Sequence, residues 1–249
     1  MIINSFISWI GGKKLLRKEI IALFPSDIER YIEVFGGAGW VLFGAEKHAD
    51  FEVFNDINGN LINLFRCVKY HCEELQKELK WVLDSRETFF DYRAQNDTQG
   101  LTDIQRAARY FYMIRMSFGT DLRSFNTGKK MAVSCVEFLD RIRDRLMRVK
   151  IENRDFMPVV KTYDRENALF YLDPPYYDAE KYYEGFPKDD HYRLFEVIQK
   201  VQGRFVLSYN DHPFITDLWK NFNIRHTARQ NNLNKKSGEA YREVIITNF

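Results

Sequence analysis

The chain has little cysteine, no apolar run long enough to cross a membrane, and almost no net charge. Three cysteines in 249 residues, Cys67, Cys72 and Cys135, are an odd number with no paired C-x-x-C spacing. That argues against a disulfide framework and against a zinc site, so all three are expected to be reduced and structural, with Cys67 and Cys72 along one helical stretch. No apolar segment approaches the roughly 20 residues that a membrane span needs. The stretch from Met1 to Lys14 lacks a basic region, a long apolar core and a small-residue cleavage site, which predicts a cytoplasmic rather than a secreted protein. Internal repeats and low-complexity tracts are missing too. What remains is a globular chain with 45% hydrophobic residues, enough for one large domain or one domain with an inserted subdomain.

The formal charge of +2 hides an asymmetry. From Leu101 to Lys150 there are eleven Lys/Arg against five Asp/Glu, an excess of six, so the rest of the chain carries −4. A local basic excess interleaved with aromatics fits a face that binds a polyanion, although a solvated helical surface has the same composition.

Apolar patterning predicts strands at Tyr31 to Phe35, Phe51 to Asn55, Val149 to Glu152, Leu169 to Leu172 and Phe205 to Tyr209. Helices are predicted at Lys13 to Leu23, Trp40 to Lys47, His191 to Val201 and Pro213 to Trp219. This alternation implies an α/β fold with a mostly parallel sheet covered on both faces. The run Tyr241 to Phe249 reads as a last strand, in a hairpin with Phe222 to His226. Helical periodicity dominates residues 60–147 and interrupts the alternation. Residues 1–59 and 148–249 are therefore read as one domain, with 60–147 as an inserted helical subdomain.

Four short motifs carry the chemistry. The tetrapeptide Asp173-Pro174-Pro175-Tyr176 follows the apolar run Ala168 to Leu172, so a carboxylate and an aromatic ring stand at the carboxyl end of a buried strand. Ligands bind at that edge in open α/β sheets, and two prolines hold the backbone with little freedom. An acidic turn ending a strand would look alike. Glu33-Val34-Phe35-Gly36-Gly37-Ala38-Gly39 follows the first strand, where glycines allow a tight turn and close approach to a ligand. The dinucleotide fingerprint needs a third glycine where Leu42 stands, which weakens a nicotinamide reading. Asp56 ends the next strand and can accept from ribose hydroxyls, or cap the helix that follows with Asn58. Asp155 again follows a strand, with Phe156 beside it to pack on an adenine ring; a helix cap is its alternative. Near the start, Ser8-Trp9-Ile10-Gly11-Gly12-Lys13 offers a ring, two glycines and a cation but lacks the Gly-Lys-Ser/Thr end of a P-loop.

In this order the motifs resemble the S-adenosylmethionine-dependent DNA adenine-N6 methyltransferases of the Dam type, including that family's W-x-G-G-K element at Trp9 to Lys13. The resemblance runs from Phe6 to about Asp211, with a weaker echo from Arg242 to Thr247. It implies a Rossmann-like methyltransferase sheet whose inserted region recognises the target. It further implies a cofactor pocket lined by Trp9, Lys13, Glu33, Phe35, Gly36, Gly37, Gly39, Asp56, Asp155, Phe156 and Asp173. The catalytic group would be Asp173, Pro174, Pro175 and Tyr176. Tyr176 would stack on an adenine flipped out of duplex DNA, while the Asp173 side chain and the Pro174 carbonyl accept its N6 hydrogens. DNA contacts are expected from Arg115, Arg123, Ser124, Asn126, Lys129 and Lys130, with Arg106, Arg109, Lys235 and Lys236 as further phosphate contacts. No metal is required, and a monomer or weak dimer is expected. Val34 departs from the family's frequent proline, Leu207 to Asp211 matches its L-S-N stretch loosely, and Phe118 to Lys130 matches the family's recognition hairpin imperfectly, with Arg123 not clearly in the base-reading register, so the recognised sequence stays open. Alternatives are the same fold acting on cytosine N4, where Ser more often replaces Asp173, on RNA adenine, or a silent DNA-binding protein. A restriction partner is left open.

Overall fold

A computed structural model describes residues 3–95, 99–128, 136–178, 186–230 and 240–249. Five apolar runs form parallel strands: β1 (Arg30–Glu33), β2 (Phe51–Asn55), β3 (Val149–Glu152), β4 (Ala168–Leu172) and β5 (Arg204–Asn210). β6 (Asn223–Gln230) and β7 (Ala240–Thr247) make the expected C-terminal hairpin, and β7 lies antiparallel to β5. The order across the sheet is β3-β2-β1-β4-β5-β7-β6. This is the Rossmann-like α/β sheet that the motifs imply. The chain turns outward in opposite directions from β1 and β4, so the crevice for a ligand lies at their carboxyl ends.

Side chains alternate across each strand and separate the core into two layers. Tyr31 of β1, Tyr171 of β4, Val206 of β5 and Ile245 of β7 pack on one face. That face is covered by α1 (Arg17–Ala22), α2 (Gly59–Tyr70), α5 (Asp103–Met116) and α6 (Leu139–Leu146), with α3 (Cys72–Lys80) and α4 (Arg86–Ala94) outside them. Ile32, Phe170, Leu207 and Val244 face the other layer, under α7 (Phe156–Tyr163), α8 (Lys188–Ile198) and α9 (Pro213–Leu218). β4 is buried at all five positions, as its continuous apolar sequence requires of a strand covered on both sides. Phe65 of α2 stacks on Phe54 of β2 at 4.4 Å between ring centres, so the helices of residues 60–147 share one core with the sheet.

Several expected elements need correcting. The helix predicted from Trp40 to Lys47 is a single 3-10 turn, Leu42–Gly44, after which Ala45 is extended. The carbonyls of Leu42 and Ala45 are taken by the Arg145 guanidinium of α6, both at 3.1 Å, and not by the next helical turn. Gly44 also lies so close to α1 that a Cβ there would stand 2.4 Å from Ile21. Cys67 and Cys72 are on two helices, not one, because the backbone breaks at His71; both are buried free thiols, and Cys135 lies outside the described residues. The helix expected from Lys13 becomes regular only at Arg17.

Arg145 also forms the core's one fully buried ion pair among the described residues, with Glu52 of β2 at 2.6 and 2.7 Å. The pair ties α6 to the sheet just behind the glycine turn. Among the described residues no helix is long and apolar enough to cross a membrane, and no cluster of three His, Cys, Asp or Glu could hold a metal.

Candidate active site

Strand alternation decides where Asp173 points. Leu172 faces the α7–α9 layer, so the next residue turns towards Tyr171's side of the sheet, where Lys13 waits. The Lys13 ammonium lies 2.6 Å from Asp173 Oδ1 and 2.8 Å from Oδ2, and donates to the Gly11 carbonyl at 2.9 Å. Ser208 of β5 donates to Oδ1 at 2.9 Å. Lys13 is only 3% exposed and sits 4.6 Å from the centre of the Tyr176 ring, a cation–π contact. The Tyr176 hydroxyl in turn donates to Glu243 Oε1 at 2.9 Å. Burial pushes the Asp173 carboxyl above the usual Asp range, and the Lys13 charge with the Lys13 and Ser208 hydrogen bonds opposes that rise.

At the end of β1, Glu33 is buried and accepts from the Tyr31 hydroxyl at 2.6 Å. Burial raises its pKa to about 8 against the pull of that bond, with Asp173 adding to the rise, so Glu33 is mostly neutral at pH 7. The Gly36–Gly39 turn follows. A Cβ on Gly36 would stand 2.3 Å from the Phe54 ring, and Gly37 and Gly39 have φ of +50° and +66°. Only glycine satisfies all three positions. Trp9 closes on Gly37 from the N-terminal segment.

Asp56 and Asp155 take up different tasks. Asp56 Oδ2 accepts from the Gly37 N–H at 2.9 Å and Oδ1 from the Asn58 N–H at 2.8 Å, fixing the glycine turn to the end of β2. Asn58, not Asp56, caps α2. Burial raises the Asp56 carboxyl above its usual range, opposed by these backbone donors. Asp155 caps α7 through the Met157 N–H at 2.9 Å and contacts Arg193. Phe156 and Phe35 pair at 5.6 Å, and Phe186 meets them at 5.9 and 5.8 Å. The three rings pack on one another beside Asp155.

Three residues of this arrangement escaped the motifs. Ser208 lies in the loosely matching Leu207 to Asp211 stretch. Glu243 falls in the weaker echo from Arg242 to Thr247 without being assigned a role, and a carboxyl inside an apolar strand was its signal. Phe186 has no local signal, being one aromatic in a loop.

The expected DNA-contacting residues are only partly gathered. Ser117 and Phe125 form an antiparallel bridge that closes a small hairpin, where Arg123 and Ser124 are exposed and Asn126 is half-buried. Ser124 and Arg123 are organised by Asp121, while the Asn126 side chain accepts from the Gly128 N–H. Arg115 is half-buried near the end of α5, one turn before the hairpin. Arg106 pairs with Asp103, and Arg109 lies over Tyr92. Lys129, Lys130, Lys235 and Lys236 lie outside the described residues.

A parallel sheet with a reversed β7, a glycine turn after β1, an acid after β2 and an acid-Pro-Pro-aromatic edge on β4 defines a methyltransferase. More narrowly, the chain belongs to the D12 class N6 adenine-specific DNA methyltransferases, whose family model matches residues 9–233. Its substrate is therefore DNA. It is 30% identical to the type II methyltransferase M1.LlaDCHI of Lactococcus lactis subsp. cremoris, over 99% of this chain and 96% of that one. It is 25% identical to the type II methyltransferase M.MjaIII of Methanocaldococcus jannaschii over the full length of both. The Retron Ec67 DNA adenine methylase of Escherichia coli is 22% identical over 95% of this chain and 88% of its own.

Proposed function

We propose that the chain is a site-specific modification enzyme that takes its methyl group from S-adenosylmethionine and places it on N6 of an adenine extruded from duplex DNA. The observation that carries this reading is the Asp173 carboxylate, held at the switch point of the sheet with the Tyr176 ring beside it. Likeness to two type II methyltransferases over nearly their whole length supports site-specific modification.

The residues present fit the cofactor. The Gly36–Gly39 turn presents bare backbone at the end of β1, Asp56 keeps carboxylate lone pairs beyond its two backbone bonds beside it, and Phe35, Phe156 and Phe186 form an aromatic cluster against which a flat heterocycle can pack. Trp9, Glu33, Asp56, Asp155 and Phe156 would hold it. When bound, it supplies a methyl carbon made electrophilic by a sulfonium.

The chain's own residues do the rest. The exocyclic amine of adenine is a weak nucleophile because its lone pair is delocalised into the ring. Asp173 and the Pro174 carbonyl accept its two N–H groups and draw the nitrogen towards tetrahedral geometry, freeing the lone pair. A carboxylate has about four acceptor positions, so Asp173 can receive the amine while still bonded to Ser208. Lys13 occupies the same carboxylate and the same ring, so the entering base must displace it or share both. Most of the rate then comes from orientation and fixed acceptors, and the proton leaves N6 after transfer. The hairpin of residues 117–126 and the helices of residues 60–147 would form the target-recognition part.

The test is mass spectrometry of nucleosides from unmethylated DNA incubated with S-adenosylmethionine and wild type or Asp173→Ala. Wild type is expected to form N6-methyladenine. Asp173→Ala, melting like wild type, should form at least about a hundredfold less, as when a preorganised group acting on the reacting atom is removed. Equal activity in the variant rules out the role of Asp173. N4-methylcytosine, or no methylated base, rules out the proposed reaction.

A further inference from the structure

Glu243 is 1% exposed and lies next to Val244, Ile245 and Ile246 in the last strand. A carboxyl so buried is costly unless it is hydrogen-bonded. Its Oε1 accepts the Tyr176 hydroxyl at 2.9 Å. The direction of β7 makes this contact possible. Because β7 runs opposite to β5, Glu243 pairs with Asn210 and is delivered to the carboxyl edge of the parallel strands, where Asp173 lies. A parallel strand would carry its first residues to the far edge of the sheet.

Two prolines before Tyr176 restrain the backbone, but the ring keeps its two side-chain torsions. One contact fixes the tip of the ring, the hydroxyl on Glu243, and the Lys13 ammonium lies over the ring. Tyr209 stands 6.1 Å away at a 38° tilt, and the body of the ring packs on the core, so neither contact reaches the hydroxyl end. If the entering base displaces Lys13, the hydroxyl bond is the polar contact that still holds the ring's outer end, while Tyr209 and the core pack against its body.

We infer that Glu243 is a positioning residue for the reaction, holding the outer end of the Tyr176 side chain through its hydroxyl so that an extruded base stacks on the ring with its amine at Asp173. This rests on the reading that Tyr176 carries the flipped base.

The test compares single-turnover formation of N6-methyladenine on unmethylated DNA by wild type, Tyr176→Phe, Glu243→Ala, Glu243→Gln and the double variant Glu243→Ala/Tyr176→Phe. Melting and equilibrium binding of S-adenosylmethionine are measured alongside. Tyr176→Phe and Glu243→Ala are each expected to slow the step about tenfold or more, the scale of one lost hydrogen bond to a charged acceptor. The double variant should be no slower than the slower single, because both remove the same bond. Glu243→Gln keeps a carbonyl acceptor and should recover the rate to within about threefold of wild type, since neutral hydrogen bonds are roughly half as strong. Cofactor affinity in Tyr176→Phe should not change. A wild-type rate in Tyr176→Phe, multiplied losses in the double variant, or Glu243→Gln as slow as Glu243→Ala would each overturn the inference alone. Tyr176→Phe decides the matter even if Glu243→Ala fails to fold. A wild type that makes no N6-methyladenine overturns the parent reading and this inference with it.

Discussion

Glu33 should make the protein less stable as the solution turns from weakly acidic to neutral. Its carboxyl is buried at the end of β1, and its pKa rises from 4.5 to about 8 because burial disfavours the charge. Between those two values the folded state keeps the Glu33 proton while the unfolded chain has released it. The stabilising contribution is therefore complete below pH 4.5 and is lost as pH rises to about 8, beyond which it is flat. Each pH unit inside that window costs about 1.4 kcal/mol, so from about pH 5.5 to about pH 7.5 the loss is near 3 kcal/mol. Glu33→Gln removes the titration but keeps the size of the neutral acid and an acceptor for the Tyr31 hydroxyl. Urea unfolding of the cofactor-free wild type and of Glu33→Gln across this range isolates the residue, because titrating groups not coupled to Glu33 cancel in the difference. The variant should gain on wild type by about 3 kcal/mol over those two units. Parallel stability curves would refute the reasoning, since they would mean that Glu33 is ionised in the folded protein.

The ion pair at the site and the one in the core make separate predictions. Lys13→Met removes the cation that opposes the raised pKa of Asp173, so the Asp173 pKa should rise further. The acid side of the pH–rate profile should then move to higher pH in a cofactor-binding variant, and an unmoved profile would show that Asp173 ionisation does not limit the rate. Arg145→Met leaves Glu52 charged and unpaired in the core, which typically costs about 3–5 kcal/mol. In a chain of this size that lowers the melting temperature by about 6–20 °C. Pairing it with Glu52→Gln should recover part of the loss, and no recovery would mean that Arg145 acts mainly through the Leu42 and Ala45 carbonyls.

What could be read from the sequence was whatever is local. The β4 run is apolar at every position and ends at two prolines, so both the strand and the Asp173 edge follow from neighbouring residues. The glycine turn is legible for the same reason, since its backbone demands are met by its own residues. The errors come from contacts far along the chain. Val41, Leu42 and Phe43 look like the start of a helix, and what ends it is a guanidinium about a hundred residues later, which takes the carbonyls that a second turn would need. In the same way, nothing near Lys13 in the sequence names the partner of its ammonium, a carboxylate 160 residues away.

Glu243 is the most instructive case, because its burial and the identity of its partner are set by different physics. Alternation along β7 places it on the same face as Ile245, and a charged residue at an inward position of an apolar strand already asks for a partner. The pattern cannot name that partner. Which residue answers depends on whether β7 runs with or against β5, and the antiparallel register with Asn210 settles it. Only then does the hydroxyl of Tyr176, 67 residues earlier, come within reach. A buried acid in a strand of unknown direction is therefore a prompt to ask which edge of the sheet it reaches. Here that edge is the one where Asp173 stands.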